Sequence, residues 1–399
     1  MARRRRIIQV RLRKDLLRDI KRGHAWLYNH AIDSFSAPAG AVVEIWDRKG
    51  EKCIATGIAD PEHPIPVRVC RTDEPYTLDK AWLTRQLAKA TSLRKQTFSS
   101  ETTGYRLIAG EGDGLPGLIV DRYSDTAVMK VDGGAPEAFY DTQWLAEWLV
   151  ENTNIENVVL RSRERGKEGE LLAGDLQVES EGGGDIEFLE NGMTFSADVL
   201  RGQKTGFFLD QRDNRDFIRG LSRGRSVLNL FSFNGGFSIA AGLGGATKVT
   251  SVDLAGPAIE VAKAHWKSNG LDEEKHEAVA GDCFEFLEEA NRQKLRWDIV
   301  ICDPPSFAPS ERARPQAITA YTRLTQLASR VTAEGGFLAP ASCSSHIDPA
   351  SFRQIQWEAL GKSRRKATLL AEKGLPIDHP TPLAMPELRY LKFMLLQLD

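Results

Sequence analysis

The stretch ASCSS (341–345) sets a thiol, Cys343, just past GGFLAPAS (335–342), an apolar run that reads as a strand. A thiol at a strand end is either inert filler or a nucleophile, and its surroundings decide which. Three runs upstream also read as strands and end in an acid: KVTSVD at Asp253, HEAVAGD at Asp282 and WDIVICD at Asp303. Carboxylates at successive strand ends suit a nucleoside. Asp253 is placed for ribose hydroxyls, and Asp282 for an adenine amine. The run SVLNLF (226–231), which carries Asn229 and Phe231, leads into Asn234-Gly235-Gly236. Glycine at such a turn lets backbone approach a ligand. A dinucleotide enzyme would show G-x-G-x-x-G there, and FNGGFS does not. The pattern points to a nucleoside-type cofactor.

Asp303 opens DPPSF (303–307). Pro304 and Pro305 stiffen the strand exit and keep the backbone extended. Such an edge presents Asp303 and Phe307 to a planar substrate, with Phe307 set to stack on a base drawn out of its helix.

These residues need a scaffold. From about residue 190, strand candidates at 226–231, 248–253, 276–282, 297–303 and 335–342 alternate with helical stretches. In PAIEVAKAHWKSNG, Pro257 suits a first turn, Ile259, Ala262 and Trp266 share a face, and Asn269-Gly270 ends the helix. Alternation of this kind predicts a doubly wound parallel sheet that binds ligands beyond its strand ends. Residues 76–188 read as a smaller α+β segment. It opens on the amphipathic helix LDKAWLTRQLAKATSLRKQT and includes GEGDGLPG, read as a structural turn because no helix follows it. EGGG (181–184) reads as a linker. Residues 1–73 read as short strands (41–47, 52–60, 65–71) after a short helix stopped at Gly23.

Charge adds a partner. Residues 1–22 carry ten Lys or Arg against two Asp, although the whole chain sums to −2. A basic arm on an acidic body suits a polyanion. The start MARRRRIIQV has no apolar block after its charges, and no run approaches a membrane span. The five cysteines (Cys53, Cys70, Cys283, Cys302, Cys343) form no CxxC pair. That argues against a disulfide framework and against any metal site, and it predicts a reducing, cytoplasmic setting. Cys283 and Cys302 read as buried. A homodimer is left open.

The order KTGFFLDQRDNR (204–215), VLNLFSFNGGFS, VTSVDLAGPAIEVAKAHWKSNGL, ICDPPSF, ASCSS resembles S-adenosylmethionine-dependent RNA methyltransferases. It is most similar to the bacterial ribosomal RNA large-subunit methyltransferase I family, which makes 5-methylcytosine in 23S RNA. The start, with Gly-His-x-Trp at 23–26, resembles the RNA-binding PUA barrel. The resemblance implies a Rossmann-like methyltransferase sheet behind a PUA-like domain and a small α+β middle domain. It implies S-adenosyl-L-methionine as cofactor, and RNA as substrate, either free 23S RNA or the assembling large subunit. Gln211, Phe231, Asp253, Asp282 and Asp303 would then line the cofactor, and Cys343 would be the catalytic thiol. The chemistry explains the thiol. C5 of a pyrimidine is a poor nucleophile until a thiolate adds to C6, and Cys343 would make that addition. His346 is placed to lower the thiol's pKa. Asp303 and Glu387 are the candidates for removing the C5 proton. Pro340 departs from an ordinary strand, because it lacks a ladder donor.

Overall fold

The computed structural model describes residues 8–162, 164, 166–176 and 184–399. The first arginines of the basic arm (1–7) and most of the predicted linker (181–183) lie outside them. The chain divides into two compact units.

Unit 1 spans Met1–Leu189, Ser196–Leu209 and Ile377–Pro386. Its first sheet contains β1 (Ile8–Arg11), β2 (Trp26–Leu27), β3 (Ala41–Trp46), β4 (Cys53–Ala59) and β5 (Val67–Thr72), in the order β1-β3-β4-β5-β2. Between β1 and β2 lies α1 (Leu17–Lys21), which ends before Gly23 at φ +102°. Val10, Leu27, Val43, Ile45, Ile54 and Val67 fill the core of this sheet.

Helix α2 (Lys80–Thr97) starts at Asp79, whose side chain accepts from Trp82 N. Leu83, Leu87 and Ala90 form its buried face, as their spacing predicts. A second sheet runs β10-β9-β8-β7-β6. Its strands are β6 (Gly104–Ala109), β7 (Leu118–Tyr123), β8 (Thr126–Val131), β9 (Asn157–Leu160) and β10 (Glu170–Ala173). Helices α3 (Ala135–Phe139) and α4 (Thr142–Asn152) lie between β8 and β9 in the chain. The glycine-rich stretch is a turn. Asp113 accepts from Arg94 Nη1 at 2.7 Å and from Ala109 N at 2.7 Å, while Glu111 accepts from Arg68 and from Trp26 Nε1. These buried carboxylates are therefore structural. The late segment 377–386 is tied into the same unit. Asp378 accepts from Arg106 N, its carbonyl accepts from Arg94 Nη2, and Ala25 N donates to Met385 Sδ. Strands β11 (Asp185–Glu190) and β12 (Met193–Asp198) make a separate two-stranded sheet.

Unit 2 spans Glu190–Phe195, Asp210–Pro376 and Glu387–Asp399. In chain order it contains α5 (Arg212–Leu221), β13 (Ser226–Leu230), α6 (Gly236–Leu243), β14 (Lys248–Asp253), α7 (Gly256–Ser268) and β15 (His276–Ala280). Then come α8 (Cys283–Arg292), β16 (Trp297–Cys302), α9 (Arg314–Val331), β17 (Thr332–Ser342), α10 (Pro349–Lys362), β18 (Ala367–Lys373) and β19 (Lys392–Leu398). The seven strands lie in the order β15-β14-β13-β16-β17-β19-β18. The first five are parallel, and β19 runs antiparallel to both β17 and β18. Strand order reverses between β13 and β16, which makes a crevice at their carboxyl ends. Alternate residues serve opposite faces. Leu228 and Leu230 pack with α8, α9 and α10, whereas Val227 packs with α5, α6 and α7.

The predicted doubly wound sheet is present, and α7 buries Ile259, Ala262 and Trp266 as expected. Pro340 pairs with Cys302 on β16, and the register to β19 passes from Leu338 to Ala341. The strand thus carries its proline where the antiparallel pairing skips.

Candidate functional site

The turn after β13 has unusual backbone. Phe231 and Phe233 have φ of +56° and +47°, and Gly235 has +82°. Left-handed conformations in bulky residues are costly, and they gather where a fold serves a ligand. At Gly235 a Cβ would lie 2.8 Å from Ala262 Cβ, so its glycine makes room for α7. Asn234 is buried, and its carbonyl meets His265 Nδ1 at 2.9 Å. A carbonyl only accepts, so Nδ1 carries the proton. Burial lowers the His265 pKa and favours that neutral form.

Asp253, at the end of β14, clamps two loops. Its Oδ2 accepts from Phe233 N at 2.8 Å and its Oδ1 from Ala255 N at 2.9 Å. Each carboxylate oxygen keeps a second lone pair, so the clamp also leaves acceptors for a diol. Asp282 caps α8 and accepts from Phe284 N and Glu285 N. Asn229 reaches inward to Ser238, which continues to Ser251 and His276. Gln211 is buried and accepts from Asn214 Nδ2 at 2.6 Å. Buried oxygens remain without a partner at Ser232 Oγ, Asn229 Oδ1 and Asn214 Oδ1.

The DPPSF loop and the Cys343 turn are knotted together by Ser344. Its buried hydroxyl meets Ser306 Oγ (3.1 Å), Ala308 N (3.2 Å) and the Tyr321 hydroxyl (2.9 Å). Tyr321 also donates to Ser342 Oγ at 2.9 Å. Pro304 is buried, while Asp303 is half-buried and Pro305 is exposed. Phe307 is half-buried, with ring centroids 4.9 Å from Tyr321 and 6.4 Å from Phe231. It therefore forms part of an aromatic wall. His346 turns to Glu311 at 3.3 Å, and Glu387 is exposed on a short 3-10 turn.

Three thiols sit near these strand ends. Cys302 is buried, and desolvation raises its pKa. Cys283 accepts from Phe231 N, and burial pushes its thiol up to about 12. Both are buried, as the sequence reads them. Cys343 is half-buried, just beyond the end of β17.

The sequence reading missed Tyr321 and Lys392. Lys392 opens β19 at 5% exposure and donates to the carbonyls of Ser344 and Tyr390, both at 2.7 Å. A lysine next to the apolar run FMLL was the available signal, since a cation inside a sheet needs a reason. Among the described residues, no cluster could hold a metal and no helix is long and apolar enough to cross a membrane.

Residues 152–355 match the family model of S-adenosylmethionine-dependent methyltransferases, and residues 10–72 match that of PUA-like domains. The chain is 37% identical to the ribosomal RNA large subunit methyltransferase of Deinococcus radiodurans, over 98% of both chains. It is 35% identical to the ribosomal RNA large subunit methyltransferase I of Aliivibrio fischeri, over 96% of this chain and 98% of that one. Among solved structures, a methyltransferase crystallised with S-adenosylhomocysteine superposes with a TM-score of 0.85 at 26% identity, covering 98% of this chain and all of that one. An S-adenosylmethionine-dependent methyltransferase from Streptococcus mutans gives 0.84, also at 26% identity and with the same coverage.

Proposed function

This chain belongs to the ribosomal RNA large subunit methyltransferase I family, and from that premise we propose that it methylates C5 of a cytosine in 23S ribosomal RNA through a covalent bond from Cys343 to C6. The observation that carries the reading is the contrast among the strand-end thiols. Cys343 alone of the three is half-exposed, and it stands beside the loop that would present a base.

S-adenosylmethionine fits the crevice after β13. Its ribose diol and amines match the free lone pairs of Asp253 and the unpartnered oxygens of Ser232 and Asn214. Gln211, Phe231, Asn234, Gly235 and Asp282 would complete that pocket, with Asn229 supporting it from within the sheet. When bound, the cofactor supplies an electrophilic sulfonium methyl.

The chain's own residues do the rest. Cys343 Sγ adds to C6 as thiolate, which makes C5 nucleophilic. After methylation a base takes the C5 proton, the C5–C6 double bond re-forms and the thiolate leaves. Asp303 lies at the neighbouring strand end and is the candidate base, with Glu387 the alternative. Pro304 and Pro305 hold the loop's path, and Phe307 would stack on the base. The PUA-like sheet of unit 1 supplies affinity for RNA, with phosphate contacts that weaken as salt rises.

The test uses RNA carrying 5-fluorocytosine. Fluorine takes the place of the proton to be eliminated, so the wild type should stall as a denaturation-resistant adduct, and its tryptic peptide should contain Cys343. An adduct at Cys302 would move the nucleophile to β16. No adduct, with methyl found on an exocyclic nitrogen, would overturn the reading.

A further inference from the structure

We propose that Lys392 is a positioning residue that holds the Cys343 turn and serves as counter-ion to its thiolate. The inference rests on Cys343 being the nucleophile and adds the group that makes its anion available.

Register carries the argument first. Lys392 pairs with Ser342 across the β17–β19 ladder, immediately before the thiol. Its Nζ then reaches the carbonyl of Ser344, immediately after it. One residue thus brackets Cys343, its backbone pairing before the thiol and its side chain bonding after it, and fixes the peptide units that aim Sγ. Two of the three ammonium protons are committed to carbonyls, at Ser344 and Tyr390. That leaves one ammonium N–H for an anion.

Charge carries it second. A buried ammonium is expensive unless an anion answers it. The titratable groups around it are few. Asp348 begins α10, but its carboxylate accepts from Ser351 N and Ser351 Oγ. Tyr321 on α9 bonds the same Ser344, and burial raises its pKa, so it stays neutral. Tyr390 gives its hydroxyl to Asp210. Desolvation lowers the Lys392 pKa to about 8, and the anions that oppose this are Cys343 first and Asp348 second. When the thiol proton leaves to solvent, Lys392 keeps its own, and the pair is neutral overall. The thiolate gains a fixed donor, while the nearby Asp348 carboxylate is already engaged by Ser351.

The test is the pH profile of Cys343 alkylation by iodoacetamide in the full chain, read on the Cys343 peptide. Lys392→Met should move the inflection up by about one pH unit, slowing alkylation near neutrality about tenfold. Lys392→Arg should retain most of the wild-type profile. Both variants are compared at unchanged melting temperature and S-adenosylmethionine affinity. An unmoved inflection in folded Lys392→Met overturns the proposal. If that variant does not fold, the coupling is read from the other side. Nuclear magnetic resonance titration of Lys392 in Cys343→Ser should show its pKa falling below the wild-type value, since coupling is reciprocal. An unchanged lysine pKa there overturns the proposal as well. Alkylation requires no methyl transfer, so these outcomes are independent of the fluorocytosine trap. Loss of the adduct with an intact Lys392 dependence would instead indict the nucleophile assignment.

Discussion

Cys302 and Cys343 stand at the ends of adjacent, paired strands, yet they occupy opposite chemical settings. Cys302 is the last residue of β16, sealed between helices with Leu230, Val300 and Ala308, and its pKa is driven up by desolvation. Cys343 comes one residue after β17 ends, where Ser342, Ser344, Tyr321 and Lys392 replace apolar neighbours. A shift of one residue past the ladder takes a thiol from apolar packing to a polar, partly exposed rim. The lesson is about boundaries: on a parallel sheet, the carboxyl rim is where backbone polarity, side-chain polarity and solvent meet.

The largest expected effect comes from removing the rim thiol. Cys343→Ala should bind S-adenosylmethionine normally and transfer no measurable tritiated methyl to ribosomal RNA, whereas Cys302→Ala should still transfer it. Activity in the first variant or its loss in the second would collapse the contrast.

The next effect is on the cofactor. Asp253→Ala removes the loop clamp and a paired acceptor together, and should cost roughly 2–4 kcal/mol of cofactor affinity by calorimetry, on the scale of charge-assisted hydrogen bonds. Unchanged affinity would take Asp253 out of the site and leave it as a loop clasp only.

A pH test sharpens the comparison. Burial places the folded Cys283 pKa at about 12, above its ordinary value, so the folded thiol stays protonated where the unfolded one ionises. At pH 9 its thiolate fraction is about one in a thousand, and labelling of that peptide should wait for unfolding. Labelling of Cys283 at the rate of Cys343 under native conditions would refute it. The smallest effect is Cys302→Ala on stability. The lost sulfur leaves a small cavity, about 1 kcal/mol by urea unfolding.

Much of this rim was legible in the chain because its signals are local. An acid closing a β-branched run, a glycine turn and a helix-period stretch each occupy a few consecutive residues, as at Asp253, Asn234-Gly235 and Ile259-Ala262-Trp266. What local pattern could not reveal was where side chains turn. Asp282 spends an oxygen on capping α8, and Asn229 points off the sheet to Ser238 on α6. Phe307 leans on Tyr321, which belongs to a helix far from it in spacing but adjacent in space. Lys392 escaped for the same reason. Its meaning comes from antiparallel pairing with Ser342, and β18 and β19 carry no α-helix between them to announce the final pair.

The segment Ile377–Pro386 sets an order of events during synthesis. It belongs to unit 1, although everything around it in the late chain belongs to unit 2. A ribosome therefore delivers most of unit 1 first, but its last piece, with Asp378 for Arg106 N and Met385 for Ala25 N, only after most of unit 2. A short turn and β19 come after it. The half begun first is completed only after most of the other, and Lys392 emerges just after that. Until then the nascent chain holds Arg94 short of its Asp378 carbonyl acceptor and β17 without its antiparallel neighbour. The two completions wait on neighbouring segments, 377–386 and β19, and a stall or premature stop before residue 377 would leave both units open to misassembly at once.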